Sequence, residues 1–112
     1  MGRLTTHVLD TARGCPGAGI RVTLHRNLGE RYALVADAVT NADGRCDAPL
    51  LEGAAFTAGR YRLVFAAGEY FARAGVALPD PPFVDEVAIY YGVADGSAHY
   101  HLPLLVSPWS CS

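Results

Sequence analysis

At 112 residues the chain has the size of one domain and is expected to be a single unit, since domains run to roughly 100–200 residues each. Hydrophobic residues make up 51% and charged residues 18%, which suffices for a core and is too little charge for a disordered segment. Nine basic residues, all Arg, face eleven Asp plus Glu for a formal charge of −2 with no basic run, so no nucleic-acid partner is expected.

Most Gly and Pro residues fall between short apolar runs, the punctuation of an all-β domain. Leu4 to Asp10 is alternating and β-branched and predicts a first strand, followed by a loop over Thr11–Gly19 too rich in Gly for a regular element. Ile20 to His25 puts Ile20, Val22 and Leu24 on one face, because strand side chains alternate. Tyr32 to Thr40 predicts another strand, and Asn41-Ala42-Asp43-Gly44 a turn. Arg60 to Phe65 puts Tyr61, Leu63 and Phe65 on one face. Only Glu69 to Ala74 reads as helix, closed by Gly75. Pro79, Pro81 and Pro82 break regular structure, after which Phe83–Tyr91 and Tyr100–Val106 predict two more strands. Seven or so short strands and one short helix suit a β-sandwich.

No apolar stretch approaches the ~20 residues of a membrane helix, and the N-terminal residues lack a signal-peptide apolar region. The expectation is a cytoplasmic protein without a membrane partner. Cys15, Cys46 and Cys111 are odd in number and widely spaced, so they read as free thiols.

Four histidines are present, and His99 and His101 lie two apart on one predicted strand, hence on one face. Tyr100, Leu102, Leu104 and Val106 would then face the core. His7 stands likewise on the first strand, sharing a face with Thr5 and Leu9. Each could be a solvated strand residue. Together they could form a site, since imidazole, with an ordinary pKa near 6.5, can take a proton from water at neutral pH. Arg45 follows the Asp43-Gly44 turn and reads either as a solvated turn residue or as a fork of donors for an anionic or carbonyl-rich substrate. His25 has no partner in sequence and reads as structural. No Gly-x-Ser-x-Gly elbow surrounds any Ser, and Cys46 has no catalytic-cysteine signature. Three histidines could also ligate zinc, but His-x-His by itself is weak support.

Taken together, Leu4-Thr5-Thr6-His7-Val8-Leu9-Asp10, Thr40-Asn41-Ala42-Asp43-Gly44-Arg45-Cys46 and His99-Tyr100-His101-Leu102-Pro103-Leu104-Leu105-Val106-Ser107-Pro108 closely resemble the 5-hydroxyisourate hydrolases, the enzyme branch of the transthyretin-like family. The resemblance covers residues 1–112 as a single transthyretin-like domain. It implies a β-sandwich of two four-stranded sheets with one short helix, assembled as a homotetramer, a dimer of dimers, whose channel mouths are active sites. The family's catalytic residues fall on His7, Arg45 and His101, and His99 matches a common histidine given a substrate-binding role. The implied reaction opens the 5-hydroxyisourate ring in urate degradation with activated water, and needs no cofactor and no metal. Members of this branch end in Tyr-Arg-Gly-Ser, residues that line the site, and this sequence runs to Ser112 without them; either the tail lies beyond it or, if Ser112 is the true end, weak hydrolysis and poor substrate affinity are expected. The alternative is the carrier branch, which binds a small aromatic ligand in the same channel, although His7 and His101 stand where a carrier would hold other residues. A third reading, a sandwich without chemistry, needs no site at all.

Overall fold

A computed structural model describes residues 1–112. Alternation in the first strand, β1 (Arg3–Asp10), buries Leu4, Thr6, Val8 and Asp10 and turns Arg3, Thr5, His7 and Leu9 outward. The last strand, β8 (His99–Val106), runs parallel to β1 along its whole length and buries Leu104 and Val106 fully, Tyr100 and Leu102 partly. The other edge of β1 is shared by two short antiparallel strands, β5 (Leu51–Glu52) at its start and β2 (Cys15–Pro16) at its end. These four strands form one sheet. The second is antiparallel throughout, in the order β4 (Tyr32–Val39), β3 (Arg21–Asn27), β6 (Gly59–Phe65), β7 (Val87–Val93).

Between the sheets lies the core, in which Tyr61, Phe65, Phe71, Leu24 and Leu63 are fully buried. Burying each such side chain is worth about 1.5–3 kcal/mol. The helix α1 (Ala67–Arg73) presents Ala67, Tyr70 and Phe71 to this core, the i, i+3, i+4 face of a helix. Its Tyr70 hydroxyl donates to the carboxylate of Asp10 at 2.8 Å and so ties the helix to the end of β1. Asp10 also accepts from the backbone of Ala12 and Arg13 and from the Arg13 guanidinium. Burial pushes this carboxyl upward, but the hydrogen bonds from Arg13 and Tyr70 outweigh it and hold the group below the ordinary aspartate value.

The two-sheet sandwich with one short helix is the architecture expected from the sequence. Several boundaries differ for local reasons. Cys15–Pro16 pairs with Leu9–Asp10 inside the presumed loop, because Gly14, at φ 66°, turns the chain back onto β1. Leu51–Glu52 and the short 3-10 turn Gly53–Ala55 carried no signal. The expected Phe83–Tyr91 strand begins only at Val87, since Val84 N–H bonds to Pro108 and the Asp85 carbonyl caps Gly68 N–H, removing both from a ladder. The helix starts at Ala67, two residues early. Beyond β8 the chain turns through Ser107–Ser110, so that Ser112 exchanges both backbone hydrogen bonds with Leu105 at 2.9 Å each.

Candidate functional site

The parallel register aligns Arg3 with His99, Thr5 with His101 and His7 with Pro103. All six face outward, so one patch of the sheet carries an arginine, a hydroxyl and three imidazoles in adjacent rows. The Thr5 hydroxyl lies 3.1 Å from Nε2 of His99 and 2.8 Å from Nδ1 of His101, bridging the two rings.

Arg45 is brought here by the turn before it. The Asn41 side-chain oxygen accepts the N–H of Asp43 at 2.9 Å and of Arg45 at 3.2 Å. Gly44 then adopts φ 75° and its carbonyl accepts Val8 N–H at 2.8 Å. That contact makes His7 and Arg45 bridge partners, filling the stretch of the β1 edge between β5 and β2.

The result is an open pocket of about 510 Å³ whose wall includes Arg3, Thr5, Arg45, Asp47, His99 and His101. Two guanidiniums against one carboxylate suit an anionic or carbonyl-rich small molecule. Asp47 is held by the Asn41 amide at 3.0 Å. His101 is pushed below the ordinary histidine value of 6.5, first by burial and then by Arg45, His7 and His99, so at neutral pH it is uncharged and able to accept a proton. Cys46, also on the wall, is pushed upward by burial and by Asp47, so its thiol stays protonated and is a poor nucleophile.

Of the residues predicted from sequence, Arg45, His99 and His101 share the pocket wall, while His7 lies beside it, diagonal to His101 and bridged to Arg45. His25 lies in the other sheet, on β3, with Nδ1 3.4 Å from the Arg62 carbonyl oxygen. Arg3, Thr5 and Asp47 were not singled out. Arg3 and Thr5 share the odd-numbered face of β1 with His7, a signal present in the alternation, but only the β1–β8 register shows which histidine each one meets. No three His, Cys, Asp or Glu side chains gather into a group that could hold a metal ion.

A 5-hydroxyisourate hydrolase of Ralstonia nicotianae is 58% identical over all 112 residues of this chain and 96% of its own length. The crystal structure of an (S)-allantoin synthase superposes with a TM-score of 0.92 at 47% identity, covering 99% of this chain but only 42% of that longer one. Sea bream (Sparus aurata) transthyretin matches 98% of this chain and 92% of its own with a TM-score of 0.87 at 27% identity. A family model for the HIUase/Transthyretin family matches residues 4–112 as well, and this chain belongs to the HIUase/Transthyretin family.

Proposed function

We propose that this chain hydrolyses 5-hydroxyisourate, opening its lactam ring to 2-oxo-4-hydroxy-4-carboxy-5-ureidoimidazoline. The observation that carries the reading is the meeting of Arg45 with a neutral His101 on one pocket wall, in a chain 58% identical to a 5-hydroxyisourate hydrolase. His101, with His7 beside it, takes a proton from water, and the hydroxide equivalent forms a C–O bond to the ring carbonyl. Arg45 donates to the oxyanion that develops there. The C–N bond then breaks and the nitrogen takes up the proton that His101 held, so the cycle consumes one water and needs no cofactor. His99 helps hold the substrate. The residues form one domain, working as a homotetramer, a dimer of dimers, in the cytoplasm. β7 is an edge strand with Tyr90 60% exposed, which favours burial against a second copy.

The test is decay of freshly generated 5-hydroxyisourate in the presence of the purified chain and its His101→Asn and Arg45→Gln variants. Loss of a positioned base costs about 10²–10⁴-fold in rate. Full turnover by folded His101→Asn overturns the assignment. Tight binding of a small aromatic ligand with no turnover by the unaltered chain would move it to the carrier reading.

A further inference from the structure

We infer that Thr5 is a positioning residue that couples His99 and His101, holding the two rings in complementary tautomers and passing a proton between them. This rests on the reading of His101 as the base. A hydroxyl has one proton to give and lone pairs to receive. Placed 3.1 Å from Nε2 of His99 and 2.8 Å from Nδ1 of His101, it satisfies both neutral rings when one ring N–H donates to it and it donates to the other. For His101 to act as a base through Nε2, its Nδ1 must carry the proton. Nδ1–H then donates to Thr5, and the Thr5 O–H donates to Nε2 of His99.

The same chain of bonds relays charge. When Nε2 of His101 takes a proton from water, the Nδ1 proton moves to the Thr5 oxygen and the Thr5 proton moves to Nε2 of His99. His101 is then neutral with its proton on Nε2, His99 is the cation, and Thr5 is unchanged. Running the relay backwards as Nε2 gives its proton to the departing nitrogen restores the start. The surroundings favour this. Burial and the charges of Arg45 and His7 disfavour an imidazolium at His101. The parallel register, which sets Thr5 directly across from His101, is what places the hydroxyl between two rings a strand-repeat apart.

The experiment compares Thr5→Val, which keeps the branched shape and removes the hydroxyl, with Thr5→Ser, which keeps the hydroxyl. Histidine ring nitrogens in ¹⁵N-labelled protein report the tautomer directly, without substrate. The unaltered chain should show His101 protonated on Nδ1, and Thr5→Val should move it towards the Nε2–H form that free imidazole prefers, with Thr5→Ser like the parent. With 5-hydroxyisourate, Thr5→Val should lower kcat by about 10–100-fold at little-changed KM and alter the acid limb of the pH profile, and Thr5→Ser should restore both. Identical tautomers in the parent and Thr5→Val, or a Thr5→Ser variant as impaired as Thr5→Val, overturns the inference. If the parent shows no turnover, the hydrolase reading fails, while the nitrogen spectra still decide the role of Thr5.

Discussion

Replacing Gly44 by Ala tests how far the site depends on one backbone conformation. At φ +75° a side chain is strained by about 1–2 kcal/mol. The added Cβ would also sit 2.4 Å from the Val8 carbonyl oxygen and 3.1 Å from Gly17 N, so the turn must lift away from β1. Lifting it weakens two hydrogen bonds, Val8 N–H to Gly44 and Gly17 N–H to Val8, each 2.8 Å and each worth about 0.5–1.5 kcal/mol net. The total is about 3 kcal/mol, which for a chain of this size lowers the melting temperature by roughly 10–15 °C. Because Arg45 is the next residue, kcat/KM should fall at least tenfold even at temperatures where the variant is folded. Gly29→Ala is the control: its φ is also positive, at +100°, but no atom lies within 4 Å of the added Cβ. It should show only the backbone cost and unaltered turnover. A Gly44→Ala protein melting within about 2 °C of the parent, or with its kcat/KM intact, would refute the account of how Arg45 is placed.

Four other outcomes are expected. The depressed His101 value means the base is still uncharged below pH 6.5, so the acid limb of kcat/KM should have its midpoint below that of a free imidazole; a midpoint at or above 6.5 removes His101 as the titrating base. Asp10→Ala strips a buried carboxylate from four donors; such losses reach about 3–5 kcal/mol, but Arg13 is 44% exposed and can turn to water, so about 2 kcal/mol is expected by denaturant titration. With its folded value below 3.8, Asp10 contributes fully above the unfolded value and loses that contribution as pH falls through the folded one, so Asp10→Asn should flatten the acid limb of the stability curve. Sedimentation should give a species of about four chains; a lone 11.9 kDa monomer at micromolar concentration would exclude the tetramer.

The alternation that buries Leu4, Val8, Val22, Leu24, Tyr61, Leu63 and Phe65 was readable from the residues, and so was the outward parity of His7, His99 and His101. Periodicity assigns a face but not a neighbour. Whether β1 meets β8 in parallel, and with Thr5 opposite His101 rather than His99, is decided by tertiary packing that leaves no local trace. The two-residue strands β2 and β5 are too short for any pattern, and exist because β1 offers a free edge. The late start of β7 reflects backbone groups committed elsewhere, at Val84 and Asp85. Arg45 was placed near the site by resemblance, and the structure supplies the physical cause in the Asn41 and Gly44 turn.

Pairing β1 with β8 also sets when the pocket can come into being. Thr5 and His101 stand 96 positions apart, so the hydroxyl bridge closes a loop almost the length of the molecule. Such long-range parallel contacts must meet their closure entropy before they return any stabilisation, which makes them late in folding. During synthesis at ~5–20 residues per second, roughly 5–20 s pass between the making of Thr5 and that of His101. Throughout that interval β1 has one edge open and Leu4 and Val8 uncovered, ready to add to another strand or to meet a chaperone.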